Sequence, residues 1–356
     1  MTTDLIDLRS DTVTRPDAEM RRAMAEAEVG DDVFGEDPTV LTLQEEAAAA
    51  MGTAAALFVP SGTMGNQIAL HLLARPGSEV ICEARSHIVH FEMGAMAALS
   101  GLLPRVIAAD DGLLDPAAVE ALVVPPVSYR ARTGLIAVEN SHNFAGGTVY
   151  ERGHLEAVLA VARRHRLPVH FDGARVWNAA AALGTTPAAL TAGFESVQFC
   201  LSKGLGAPVG SLLCGGGDFI AEARRVRKMF GGGMRQVGVI AAAGLVALRQ
   251  GPARLPEDQA NAALLARAVA ELPGIVLDPA KVRTNILIFR LTPELFGGAT
   301  PPEGLTAAFL ARLKEHGVLA SPVSRDLARM VTHRDAPRPR ILEAIERLRR
   351  MAGALA

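Results

Sequence analysis

Leu167-Pro168-Val169-His170-Phe171-Asp172-Gly173-Ala174-Arg175 is the stretch on which the reading of the fold turns. Pro168–Phe171 is a short, nearly continuous apolar run, the pattern of a strand buried on both faces, and it ends on a carboxylate. Helical patterns stand on either side, Glu151–Arg166 before it and Gly173–Leu183 after it. Working outward, the same alternation recurs with strand candidates at Ala55–Val59, Glu79–Glu83, Arg105–Ala109, Gly134–Glu139, Ser196–Leu201 and Gly210–Cys214. Such spacing predicts an α/β fold with a mostly parallel seven-stranded sheet flanked by helices. Ligands of such sheets sit at the carboxyl ends of the strands, so polar residues just beyond a strand carry the functional argument.

The pattern changes after Gly251-Pro252. A polar helical stretch (Pro256–Glu271) leads to a short strand, an apolar run Thr284–Leu291, a Gly- and Pro-rich loop (Pro293–Gly304) and a helix. A strand pair around Val318–Ala320 and Arg329–Thr332 and a final helix follow. The expected division is an N-terminal arm over 1–30, a large domain over 31–250 and a smaller C-terminal α+β domain over 251–356.

Composition narrows the function. The 36 basic and 38 acidic side chains nearly cancel, which argues against a nucleic-acid partner, and no basic tail or charge run suggests a membrane surface. The uncharged stretch Ala47–Ala74 is broken by Pro60, Ser61, Gly62, Gly65, Asn66 and Gln67, so it reads as alternating elements rather than a spanning helix. Cys82, Cys200 and Cys214 form no CxxC, the usage of a reducing compartment; with a polar, acidic beginning that does not read as a signal peptide, a cytoplasmic location is expected. Lysine is scarce, with Lys203, Lys228, Lys281 and Lys314 the four in the chain, so an amine nucleophile has four candidates.

Three strand ends carry chemistry. In Phe58-Val59-Pro60-Ser61-Gly62-Thr63 a strand runs into a turn and then a helix, whose free N–H groups and hydroxyls suit a phosphate, although Ser61 also reads as an ordinary helix cap. Asp172 suits a cationic ring nitrogen or, alternatively, caps a helix with Arg175 as ion-pair mate. Lys203, in Phe199-Cys200-Leu201-Ser202-Lys203-Gly204, ends an apolar run, where the charged ammonium is disfavoured and the amine becomes usable on a carbonyl. The glycines after it do not spell G-x-G-x-x-G, which excludes a dinucleotide loop there. Together the three are the parts that hold pyridoxal 5′-phosphate. His87, His142, Arg235 in its glycine-rich loop and Arg329 are further candidates for the same site. No HExxH or clustered His/Cys set appears, and no metal is expected.

The stretches DLRSDTVTRP (7–16), GDDVFGEDPT (30–39), FVPSGTMGNQ (58–67), SHI (86–88), ENSHN (139–143), HFDGAR (170–175), FCLSKGLGAPVGS (199–211), KMFGGGMRQVG (228–238) and RMVTH (329–333) resemble, in order, those of low-specificity L-threonine aldolases. The resemblance implies the aspartate-aminotransferase-like fold of pyridoxal-phosphate enzymes. It also implies reversible retro-aldol cleavage of L-threonine, L-allo-threonine and related β-hydroxy-α-amino acids to glycine and an aldehyde. By position it implies that Lys203 bonds the cofactor aldehyde, Asp172 pairs with its ring nitrogen, and Ser61, Gly62 and Thr63 take the phosphate. Arg235 is implied to reach a neighbouring subunit's phosphate, so that sites lie at subunit interfaces of a homodimer or homotetramer. His87 is implied to stack on the ring, while Ser10, Arg175 and Arg329 hold the substrate carboxylate. His87, His142 or a water on the cofactor phosphate serves as the base. Phe144 stands where many relatives carry a basic residue and Phe91 where some carry Tyr, so the pocket for the aldehyde portion is expected to differ. A β-eliminating lyase or racemase on the same fold, and a catalytically silent binding protein, are the competing readings.

Overall fold

In the computed structural model, residues 4–355 are described; Met1–Thr3 of the arm and Ala356 of the C-terminal segment lie outside the described residues. The chain opens with a two-residue strand, β1 (Ile6–Asp7), and then supplies seven strands to one sheet. These are β2 (Ala55–Val59), β3 (Glu79–Glu83), β4 (Leu103–Ile107), β5 (Thr133–Glu139), β6 (Val169–Asp172), β7 (Ser196–Cys200) and β8 (Ser211–Gly215). Their spatial order is β2-β8-β7-β6-β5-β3-β4. Every neighbouring pair is parallel except those made by β8, which runs antiparallel to both β2 and β7. β2, β3 and β5 to β8 are buried almost throughout, as continuous apolar runs covered on both faces require. Phe58, Phe171 and Phe199 are fully buried in the main core around this sheet.

The strand expected at Arg105–Ala109 begins two residues earlier, at Leu103. It is the sheet's edge, with Leu103 and Val106 exposed, so burial does not mark its ends; pairing Glu79 with Leu103 and Glu83 with Ile107 sets them instead.

Beyond residue 251 lie β9 (Ile275–Val276), β10 (Ile286–Leu291), β11 (Val318–Leu319), β12 (Ser321–Pro322) and β13 (Leu327–Val331). β12, β13, β10 and β9 form an antiparallel sheet with its own core around Leu265, Phe289, Phe309 and Ile341. The expected pairing of Val318–Ala320 with Arg329–Thr332 is corrected: β11 pairs in parallel with β1, and the partner of β13 on that side is β12. The arm is therefore built in. Ile6 and Leu8 are buried in the core of the second sheet, and the Val331 N–H donates to the Leu8 carbonyl at 2.8 Å. This clamp delivers the residues just after β1 to the strand ends of the large sheet.

No helix of the described residues is long and apolar enough to cross a membrane.

Candidate active site

β6 and β7 end side by side, β2 lies one strand further along beyond the antiparallel β8, and the segments that follow β2, β6 and β7 line a cavity of about 240 Å³. Its walls include Ser61, Gly62, Thr63, Asn66, His87, Glu139, Asn143, Asp172, Arg175 and Lys203.

The turn after β2 starts the helix Gly62–Leu73. Ser61 is its N-cap, the hydroxyl accepting from the Met64 N–H at 3.2 Å, which leaves the Gly62 and Thr63 N–H groups without an intrahelical acceptor. The helix start lies against β7: a Cβ on Gly62 would sit 2.9 Å from Cys200 Sγ, and one on Gly65 2.7 Å from Gln198 Cγ. Glycine at these two positions lets the backbone donors reach the cavity wall.

Asp172 ends β6, 4% exposed. Its Oδ1 accepts from the Ala174 N–H at 3.1 Å and its Oδ2 from Asn66 Nδ2 at 2.8 Å. Both donors are neutral, and among the described residues the carboxylate has no ion-pair partner. The three residues Gly173 to Arg175 precede the helix rather than start it, because the Gly173 N–H is drawn to the Gln198 carbonyl at 2.7 Å. Lys203 stands on the same cavity, half-buried, in the turns after β7.

The loop after β3 brings His87. Its backbone N–H donates to Glu139 Oε2 at 2.8 Å, and its Nδ1 lies 2.8 Å from Glu92 Oε1. Burial disfavours the imidazolium, but the Glu92 hydrogen bond and the charges of Asp172 and Glu92 outweigh it, so the His87 pKa is raised. Behind the cavity His170, wholly buried, bridges Ser196 Oγ and Asn66 Oδ1, and burial pushes its pKa down to about 4. His87, Glu92 and Asp172 place three potential ligand atoms within 4.8 Å of one another, and the amide N–H groups of Asn66 and Gln67 already donate to the two carboxylates.

The other side of the cavity is cationic. Arg175 is buried and gripped bidentately by Asp11, with Nε–Oδ2 at 2.8 Å and Nη2–Oδ1 at 2.7 Å. Asp11 is likewise buried, which alone would raise its pKa, yet Arg175, Lys203 and Asn285 hold it well below the usual carboxylate range. Arg175 is thus paired, with Asp11 rather than with Asp172. Arg329, which does not itself line the cavity but reaches its wall through Asn143, is the less neutralised one. Its Nη1 donates to Asn143 Oδ1 at 2.8 Å, its Nε has no acceptor, and no carboxylate among the described residues lies within ion-pair distance. Burial and the neighbouring Arg175 push its pKa down to about 10. Asn143 Oδ1 also accepts from Arg175 Nη1 at 3.3 Å, so one amide joins both guanidiniums to the cavity wall. Phe144 lies under Arg329, 5.2 Å from Cζ to ring centroid, and stacks on Phe91 at 4.3 Å.

Three expected site residues stand elsewhere. His142 is fully buried and outside the cavity lining; its Nε2 lies 2.9 Å from Glu83 Oε2, an ion-pair contact off the line of a well-directed hydrogen bond. Burial opposes its charge while Glu139 and Glu83 favour it, and the pKa is raised. Its ring is turned inward because two strand-end carboxylates attract it there. The Ser10 hydroxyl oxygen accepts from the Thr12 N–H and Oγ1, at 3.2 and 2.9 Å, capping a single 3-10 turn, and its O–H is directed to Asp11 Oδ1 at 3.5 Å. Arg235 is mostly exposed, 3.6 Å from Asp31, and does not line the cavity of its own chain. Conversely, Asp11, Asn66 and Glu92 hold the site together without having been singled out. Asp11 and Asn66 lie inside motifs quoted above, next to residues that drew the attention.

The family model for beta-eliminating lyases matches residues 7–292. Low-specificity L-threonine aldolase 1 of Arabidopsis thaliana is 44% identical over 92% of this chain and 91% of its own. The low specificity L-threonine aldolase of Escherichia coli K12 is 43% identical over 95% of this chain and 97% of its own. Among solved structures, a putative L-allo-threonine aldolase from Listeria monocytogenes superposes with a TM-score of 0.80 at 20% identity, covering 98% of this chain and 97% of that one, which speaks for the fold. With identity above 40% sustained along nine-tenths of its length, the chain belongs to the low-specificity L-threonine aldolases within the broader beta-eliminating lyase family.

Proposed function

We propose that this chain is a lyase that cleaves L-threonine, L-allo-threonine and related β-hydroxy-α-amino acids reversibly to glycine and an aldehyde, with pyridoxal 5′-phosphate as cofactor. One observation carries the reading: Asp172, a buried carboxylate with neutral donors only, shares a cavity with the Lys203 amine and the open helix start at Gly62 and Thr63. A molecule with a cationic ring nitrogen, an aldehyde and a phosphate satisfies all three. Asp172 would hold the ring nitrogen, Lys203 the aldehyde end, and Ser61, Gly62 and Thr63 the phosphate, with His87 against the ring face. What that cofactor supplies when bound is an aldehyde carbon for an amine and a ring that accepts an electron pair.

The protein's own part is orientation and proton handling. Arg329 binds the substrate carboxylate in a two-pronged grip, with Asn143 and the Asp11-braced Arg175 fixing its direction. That grip decides which bond at Cα stands perpendicular to the ring. His87 is the imidazole lining the cavity and takes the β-hydroxyl proton; His142, turned to Glu83, supports the wall.

The relatives' names support aldol cleavage, while the name of the family model keeps β-elimination as the second reading. Incubation with the two threonine diastereomers separates them. Glycine plus acetaldehyde is expected, with activity lost in Lys203→Ala; a keto acid plus ammonia refutes the aldolase reading.

Arg235, absent from its own cavity, is assigned to a neighbouring subunit's phosphate, which makes a homodimer or homotetramer the active form. Mixing inactive Lys203→Ala with inactive Arg235→Ala should recover activity through hybrids that contain one intact site; no recovery despite subunit exchange counts against sharing. The three free, buried cysteines suit a reducing compartment, and the cytoplasm is the proposed location.

A further inference from the structure

Glu92 follows the SHI motif by four residues and has no part in the roles assigned above, yet its side chain is wholly buried in the wall of the site. A buried carboxylate persists only where donors surround it. Here Oε1 accepts from Asn66 Nδ2 at 2.8 Å and meets His87 Nδ1 at 2.8 Å, while Oε2 accepts from Gln67 Nε2 at 2.5 Å. The proton positions follow by elimination. Asn66 Nδ2 lies 2.8 Å from both Glu92 Oε1 and Asp172 Oδ2, and ionised carboxylates only accept, so the nitrogen of this amide faces them and its oxygen faces His170. His170 Nε2 must therefore donate to Asn66 Oδ1, and His170 Nδ1 accepts from the Ser196 hydroxyl. With Glu92 ionised, His87 Nδ1 has one compatible state, protonated.

We propose that Glu92 is a positioning residue that holds the His87 imidazole with a proton on Nδ1, so that Nε2 is the nitrogen that gains and loses a proton at the cavity. Asn66 ties the Glu92 carboxylate to Asp172, so that the two negative groups are set as one rigid unit. The catalytic use of this device rests on the function proposed above; the hydrogen bond itself belongs to the protein alone. The charged groups facing His87 are Glu92 on its own loop, Asp172 at the end of β6 and Lys203 beyond β7, with Glu139 fixing its backbone N–H. The two carboxylates favour the imidazolium and Lys203 opposes it.

Nitrogen-detected NMR on the cofactor-free full-length protein tests this, with the His87 signals assigned by their loss in His87→Gln. In the wild type the neutral ring should carry its proton on Nδ1, a readout that needs no folded Glu92 variant. Glu92→Gln should lower the His87 titration midpoint by about one pH unit, the difference between a charge-assisted and a neutral hydrogen bond. Glu92→Asp, which keeps the charge, should titrate closer to the wild type. A neutral wild-type ring protonated on Nε2, or an unmoved midpoint in Glu92→Gln, overturns the proposal. A protein with the Nδ1 proton in place but no cleavage of threonine would leave this assignment standing and remove the aldolase reading instead.

Discussion

The two sides of the cavity are mirror images in charge. The floor, at the ends of β6 and the helix Gly62–Leu73, holds two buried carboxylates, Asp172 and Glu92, against one imidazole, His87. The rim, between the arm and the second sheet, holds two guanidiniums, Arg175 and Arg329, against one carboxylate, Asp11. Each side is bridged by one asparagine amide: Asn66 turns its nitrogen to the anions, and Asn143 turns its oxygen to the cations. Lys203 faces both sides; apart from it, the floor is short of positive charge and the rim of negative. Under the proposed function a protonated pyridine ring would complete the first and an α-amino-acid carboxylate the second, so the charge distribution would help to orient cofactor and substrate relative to each other.

The largest effect should come from breaking the floor. Asp172→Ala removes the acceptor from Asn66 Nδ2 and the Ala174 N–H and leaves a bound ring nitrogen without its counter-ion. Removing one partner of a buried charge pair costs about 3–5 kcal/mol, which corresponds to roughly two to four orders of magnitude in turnover and cofactor retention. The check is kcat together with the cofactor absorbance retained after gel filtration; a variant that keeps both would show that the floor has another source of balance.

The rim should give a smaller and differently distributed loss. Arg329→Leu removes one charge-assisted grip worth about 1.5–3 kcal/mol, so kcat/KM should fall by about 10- to 150-fold. Most of it should appear in KM, and cofactor absorbance should be unchanged. Equal losses in both variants on both measurements would erase the distinction between floor and rim.

Both sides were partly legible in the sequence, and for a physical reason. Asp172 and Lys203 each close an apolar run, and a charge at the end of a buried strand is visible locally because its burial is visible locally. Ser61, Gly62 and Thr63 carry the composition of a helix start. What escaped is pairing across the chain. Asn66 meets Asp172 over 106 positions, and Asp11 meets Arg175 over 164. Asp11 reaches Arg175 because β1 pairs with β11, a two-residue strand far too short to show periodicity. His142 escaped in the opposite sense. Its position after a strand promised the cavity, but Glu83 and Glu139, at the ends of β3 and β5, offer a buried imidazole a nearer partner.

The smallest expected effect sharpens the floor without any ligand. The His87 pKa is raised in the folded protein above the ordinary 6.5, so protonation favours the folded state. That contribution is fully present below pH 6.5 and is lost as pH rises through the raised value. His170 acts on the other flank. Lowered from 6.5 to about 4, it contributes stability above pH 6.5 that disappears as pH falls toward 4, and it leaves the alkaline flank untouched. Stability of the cofactor-free protein should therefore peak near neutrality and decline on the alkaline side. His87→Gln should flatten part of that decline and His142→Asn another part, since its pKa is raised as well, beside Glu83 and Glu139. Tm measured from pH 6 to 8.5 decides the matter. A wild-type Tm that climbs steadily through this range would mean that neither imidazole gains a proton on folding, and that the excess of carboxylate on the floor is neutralised in some other way.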